Sequence, residues 1–326
     1  MLKSWKKVGV AILGSALLLG ACGDDGGTSS DGEKKTYKIG VTQIVEHPSL
    51  NAAYDGFKKA LEDAGIDAEY DVQIAQGDPS ASTTIASNLV SSNVDLIFAN
   101  STPSAQTAAS ATSDIPIVFT SVTDAVGAEL VESMEKPGGN VTGTIDSHPD
   151  AISNTMKFLK DELGAKKVGM VFNSGEQNSR AQVDAVKKML KEMDMTVVEA
   201  SVATSADVKQ ATESLIGKVD SLYIITDNTV VSALESVVSV ANENKIPMMV
   251  AEFDSVKRGG LAAYGFEYYD IGYEAGEMAV KILKGESKPA DLPVQIPQKL
   301  IFTMNKDTAS ALNLEIKDEW EAEFSE

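Results

Sequence analysis

The 326-residue sequence has one cysteine, two histidines and no apolar run long enough to cross a membrane. The lone thiol, Cys22, has no partner for an intramolecular disulfide. With only His47 and His148 and no second cysteine, a zinc site of the usual His/Cys composition is not expected. No GxSxG nucleophile elbow, HExxH helix or P-loop occurs, which argues against a hydrolase built on an α/β scaffold. His47, followed by Pro48, is therefore expected to be structural. Positive charge is also short: 28 Lys and Arg face 48 Asp and Glu, a formal charge of -20. Such a surface disfavours nucleic acid and anionic membranes and keeps an exported chain soluble.

What is present begins with Lys3, Lys6 and Lys7 ahead of the apolar stretch 8–21. A basic start and an apolar segment shorter than the roughly twenty residues of a spanning helix predict a secretory signal over 1–21. Leu19-Gly20-Ala21-Cys22 resembles the bacterial lipobox, which implies that Cys22 is lipidated and becomes the new N-terminus on the outer face of the cytoplasmic membrane. Residues 22–35, rich in Gly, Ser and Asp, are expected to act as a flexible tether. Losing the leader's three lysines takes the charge from -20 to -23.

From residue 36 onward, short β-rich runs alternate with longer amphipathic ones. Strands are predicted at 37–43, 68–75, 95–99 and 115–120, and helices at 49–64, 81–91 and 103–111. Near-continuous apolar strands separated by helices indicate a parallel α/β sheet covered on both faces. The pattern then recurs. Lys38-Ile39-Gly40-Val41 matches Lys167-Val168-Gly169-Met170, and the run 55–61 matches 184–190, both at an offset of 129. Val94-Asp95 pairs with Val219-Asp220, and the run 115–118 with 246–249. The expected fold is therefore α/β: two similar doubly wound parallel-sheet lobes joined by a three-crossover hinge. Lobe one is predicted over 36–145 plus about 255–285, and lobe two over 146–254 plus about 286–326.

In a doubly wound sheet, ligands bind outside the carboxyl ends of the strands, where strand order reverses. The loops that follow strands in this sequence supply Gln43, Glu46, Ser49, Ser101, Thr102, Ser121, Thr123 and Asp124 from lobe one. Asp146 lies at the lobe junction, and Asn173, Glu176, Asn178, Asp227, Asn228, Phe253 and Asp254 come from lobe two. Hydroxyls and free N–H groups at helix N-termini suit an α-carboxylate, although each such Ser or Thr also serves as an N-cap. An ammonium needs a carboxylate, for which Asp146, Asp227, Asp254 and Glu176 are candidates.

The segments 39–50, 99–105, 120–124 and 137–143 resemble the ABC-transporter substrate-binding lipoproteins of the TrpX type. The likeness runs over nearly the whole chain after the tether. It implies a periplasmic-binding-protein fold of type I, a monomer without cofactor, a cognate permease and ATPase, and an aromatic amino acid as ligand. Phe253, Tyr264, Phe266 and Tyr268 are the rings that could face such a side chain. Thr123-Asp124 is followed by Ala125 where the family carries proline, which leaves the fourth loop's role open. A ligand-presenting sensor lipoprotein, or a binder of a sugar or nucleoside, is the competing reading.

Overall fold

The computed structural model describes residues 35–325; the predicted signal, Cys22 and most of the predicted tether lie outside the described residues. The first part of the chain runs β1 (Thr36–Gln43), α1 (Pro48–Asp63), β2 (Asp67–Ile74), α2 (Pro79–Ser91), β3 (Leu96–Asn100), α3 (Thr102–Ala111), β4 (Ile117–Val122) and β5 (Val141–Ile145). It continues with α4 (Ala151–Asp161), β6 (Lys167–Asn173), α5 (Gln177–Glu192), β7 (Thr196–Val202), α6 (Val208–Glu213), β8 (Ser221–Ile224), α7 (Asn228–Val231), α8 (Leu234–Glu243), β9 (Met248–Val250) and α9 (Phe253–Lys257). The last elements are β10 (Ala262–Gly265), α10 (Tyr268–Leu283), β11 (Ile301–Met304), α11 (Lys306–Ala311) and β12 (Glu323–Phe324).

Among the described residues the strands form two sheets, ordered β2-β1-β3-β4-β5 and β12-β11-β10-β9-β8-β6-β7. Read from β7, the second sheet repeats the order of the first and then adds two strands. The sequence repeat explains why. Gly40 and Gly169 occupy matching positions on β1 and β6, where a Cβ would press on Leu89 and Val94 in one lobe and on Leu215, Val219 and Leu222 in the other. Asp95 and Asp220 also play one role. The carboxylate of Asp95 accepts from the Lys38 N–H at 2.8 Å, and that of Asp220 from the N–H groups of Lys166 and Lys167, each at 2.9 Å.

Each sheet is buried on both faces. In lobe one, Phe57, Leu61, Leu96 and Phe98 pack with Ala275, Met278 and Ala279 of α10 on one side, and Leu89, Ile97, Phe119 and Val122 form the other. In lobe two the two faces gather around Met170, Val186 and Leu190, and around Val171, Leu222 and Val237. Burial of this kind contributes about 25 cal/mol per Å² of apolar surface.

The exchange of elements between lobes differs from the sequence reading in its positions. Residues from about 255 were expected in lobe one, but β10 pairs in the second sheet, parallel to β9 and antiparallel to β11. Only α10 returns to lobe one, lying on α1, where Gly56, Gly272 and Gly276 let the helices approach backbone to backbone. The chain then stays with lobe one beyond 286, because Val294 donates to Met134 O at 2.7 Å and Gln295 bridges to Thr144 of β5. The three crossings therefore fall after β5, between β10 and α10, and between Gln295 and β11. Sheet membership is settled by pairing with distant strands, which local hydrophobic pattern does not encode.

Candidate ligand-binding site

The strand-to-helix loops at the carboxyl ends of both sheets face one another, and their residues divide into supports, a seam between the lobes and a cavity. The supports lie within one lobe. Gln43, 3% exposed, donates through Nε2 to Val45 O and Asn51 Oδ1 and accepts from Asn100 Nδ2 at 2.9 Å. This fixes the loop that carries His47 and Ser49. His47 caps α1 by accepting from Leu50 N, and burial, with Arg258 adding to it, pulls its pKa down to about 3. Asp227, fully buried, accepts from Asn173 N and Ser179 Oγ, both at 2.6 Å, and from Val230 N at 2.8 Å. Burial, with Glu176 beside it, pushes its pKa up to about 7. The Glu176 carboxylate takes donors from Asn178, Asn228 and Thr229 and so ties α5 to α7.

Two residues at the ends of central strands hold unusual backbone conformations. Ser101, the N-cap of α3, has φ 103°, and Ser121, at a register shift in β4, has φ 56°. Conformations of this kind in non-glycine residues cost about 1–3 kcal/mol and concentrate at functional sites. The Ser121 hydroxyl and the Asn178 Oδ1 are buried without a partner.

The seam joins the lobes directly. Ser49 Oγ of α1 lies 2.9 Å from Glu252 Oε2 and 3.3 Å from Asp254 Oδ2. Thr123 and Thr226 approach hydroxyl to hydroxyl at 3.4 Å. Asp146 accepts from Thr123 Oγ1 at 2.9 Å and from Tyr268 OH at 2.8 Å, and burial raises its carboxyl above the usual range. Burial also raises the Tyr268 hydroxyl.

Beside the seam lies a cavity of about 1090 Å³. Of the sequence candidates, Asn173, Glu176 and Asn228 line it. Thr102 is buried in the first turn of α3, and its hydroxyl accepts from Thr123 N. Asp124 closes its own turn by accepting from Gly127 N at 2.8 Å, and Glu46 is exposed away from the lining. Phe253 belongs to the core of lobe two. Tyr264 stacks on Phe302 at 4.3 Å and Phe266 on Tyr268 at 5.7 Å, so none of the rings singled out in the sequence lines the cavity.

Sequence reasoning missed part of the lining. Gln76, Asp78 and Pro79 follow β2, Thr204 and Ser205 follow β7, and Gln106 and Thr107 lie on α3. The switch-point rule pointed to the loops after β1, β3 and β4 and their counterparts, whereas the loops after β2 and β7 lie one strand outward. Its available signal was the Gln76-Gly77-Asp78-Pro79-Ser80 turn pattern. Glu252 was visible in its loop but not selected, since a single acid there reads as a surface residue.

The cavity's charge is one-sided. Its lining includes Asp78 and Glu176 but no Lys, Arg or His. The N-terminal ends of α2, α3 and α5 converge on it; α2 and α3 carry proline in the first turn and are capped by Asp78 and Ser101, whereas α5 has no side-chain cap and brings its N–H groups and partial positive charge to a place without basic side chains. A zwitterion fits such a site better than a phosphate or a dicarboxylate.

Comparison with known proteins agrees with this architecture. The sequence is 45% identical to a tyrosine-binding protein of Clostridioides difficile (strain R20291), over 97% of this chain and 94% of that protein. The structure resembles that of an ABC domain in complex with L-Trp from Streptococcus pneumonia, with a TM-score of 0.82 and 34% identity over 88% of this chain and 97% of that one. It also resembles the ligand-free, open structure of a substrate binding protein with adhesive properties from Clostridium difficile, with a TM-score of 0.66 and 44% identity over 89% of this chain and 99% of that one. The profile of the ABC transporter substrate binding protein family matches residues 38–324. Two lobes of one strand order, a cleft at the carboxyl ends of both sheets and a match across both lobes lead to one conclusion: the chain belongs to the ABC transporter substrate binding protein family.

Proposed function

We propose that the protein is the extracytoplasmic solute receptor of an ABC importer, which takes an aromatic amino acid, such as tyrosine, tryptophan or phenylalanine, between its lobes and hands it to a cognate permease. The observation that carries this reading is the cleft itself: helix N-termini meet a cavity lined by acidic and neutral groups but no basic side chain. The N-terminus of α5, which has no side-chain cap, receives the α-carboxylate, and the hydroxyls and carboxylates around Asn173, Glu176 and Asn228 suit the ammonium. Ile44, Val45, Pro79, Pro103 and Val202 offer apolar surface to a ring.

The comparisons support both the ligand class and the mechanism. One relative is a tyrosine-binding protein and one structural neighbour holds L-Trp. The L-Trp complex superposes better than the open structure although it is less similar in sequence, which agrees with the direct lobe-to-lobe bonds at Ser49 and Thr123. The ligand acts by its differential affinity for the closed form, and the receptor binds without chemistry. We further propose that it works as a monomeric lipoprotein, cleaved before Cys22 and held by acyl chains on that residue at the outer face of the membrane.

Thermal or urea unfolding in the presence of single L-amino acids tests the ligand class. At a hundred times its dissociation constant, a true ligand adds about 2.7 kcal/mol of stability. Stabilisation by L-tyrosine or L-tryptophan is the expected result. A shift produced by a sugar or nucleoside and by no amino acid would overturn it.

A further inference from the structure

Ser49 and Glu252 belong to different lobes, and neither lines the cavity. Ser49 is fully buried and Glu252 is 3% exposed. The Ser49 hydroxyl lies within reach of two carboxylate oxygens, Glu252 Oε2 at 2.9 Å and Asp254 Oδ2 at 3.3 Å. Its single hydrogen can at best be shared between them, so the two carboxylates, if both ionised, compete for it. A proton on Glu252 removes the conflict, because Glu252 then donates to Ser49 and Ser49 donates to Asp254.

Burial and the neighbouring acids favour that proton, while the Ser49 and Ser255 hydroxyls, as donors to the carboxylate, oppose it. The segment of Glu252 itself brings Asp254 and Ser255, whose Oγ lies 3.2 Å from Oε2. Asp146 and Tyr268 approach from the crossings, and Glu267 from the start of α10 adds further negative charge to the neighbourhood of Asp254. The α1 end brings His47, which burial keeps neutral. Of the nearby cations, Arg258 pairs with Glu235 at 2.8 Å and Lys257 with Asp254 at 3.7 Å, neither with Glu252. Burial first, then Asp146 and Asp254, push Glu252 up to about 7. Once the lobes part, Glu252 loses Ser49, gains water and returns toward the ordinary carboxylate range.

We propose that Ser49 and Glu252 form a proton-coupled latch: the lobes close with Glu252 protonated and part as that proton is lost, so ligand capture takes up a proton and weakens as the pH rises. The latch rests on the reading above that the lobes open and close around a ligand. It acts on closure from outside the cavity lining.

Two measurements on the full chain test it. The first is calorimetric titration of L-tyrosine between pH 5.5 and 8, in buffers of different ionisation enthalpy. Wild type is expected to take up protons on binding below and near neutrality, with affinity falling by up to about tenfold per pH unit between the ordinary carboxylate range and about 7 and levelling off above it. Glu252→Gln, whose amide donates to Ser49 at every pH, is expected to give a flat profile. Ser49→Ala removes the acceptor on the facing lobe, and is expected to weaken binding at low pH and flatten the profile too. A flat wild-type profile, or an undiminished slope in Glu252→Gln, overturns the proposal. The second is X-ray scattering without ligand. Wild type is expected to expand from pH 6 to pH 8 while Glu252→Gln does not; equal behaviour of the two overturns the latch. If L-tyrosine fails to bind but the scattering responds as expected, the ligand class falls and the latch stands.

Discussion

Gly272 of α10 lies directly over the backbone carbonyl of Ala53 in α1, with no room for a Cβ between them. The contact fastens a helix that follows most of the second lobe in sequence onto the first. Helix propensity alone would make Gly272→Ala stabilising by up to about 1 kcal/mol. The overlap with the facing backbone reverses the sign, and a loss of about 1–3 kcal/mol is expected. Urea unfolding of the two proteins decides between them, and a stabilised variant would mean that the helices do not approach this closely.

Ser101 sits at the head of α3 in a conformation ordinarily left to glycine. Its cap bond to Ser104 N is long, 3.5 Å, and so compensates little. Ser101→Gly is expected to raise stability by about 1 kcal/mol while weakening ligand binding, because the hydroxyl next to the cleft is lost. Unfolding midpoints together with a binding titration check both halves. A variant less stable than wild type would show that the serine is not strained there.

His47 gives a prediction about pH. Unfolded, it takes up a proton as the pH falls through about 6.5; folded, it does so only near 3. Between these values the unfolded chain binds more protons, so His47 lowers stability as the pH drops, by at most about 1.4 kcal/mol per pH unit. Glu252 and Asp227 act in the opposite sense: both are raised to about 7, so the stabilisation from their protonated forms fades as the pH rises from the ordinary carboxylate range to 7. Comparison with His47→Asn, which keeps a capping acceptor, isolates the histidine. Wild type is expected to lose stability relative to the variant from pH 7 to pH 4. Parallel curves in urea titrations would contradict the burial of a neutral imidazole.

Much of the architecture was legible because the same physical requirement appears twice. A glycine is needed where leucine side chains press on the first strand of each lobe, and an aspartate is needed to hold that strand's leading N–H groups. Gly40 with Asp95 and Gly169 with Asp220 therefore recur in register. The lobe that owns β10 was not legible, since Ala262-Ala263-Tyr264-Gly265 would suit either sheet and only Met249 and Met304 select one. The site was legible as a set of loops but not as roles. Asp227 and Glu176 look alike in sequence as partners for an ammonium, yet the first is enclosed by three donors and the second borders the cavity.

The return of α10 to the first lobe also constrains how the molecule is made. All five strands of the first sheet have emerged by residue 145, but the helix that covers Phe57, Leu61 and Phe98 comes only with residues 268–283. During synthesis from the N-terminus, that apolar face stays open while nearly the entire second lobe is produced. Neither lobe is a self-sufficient folding unit in chain order. A chain cut after residue 250 would hold a second lobe still without β10, β11 and β12 beside a first lobe bare on one side, a species prone to association.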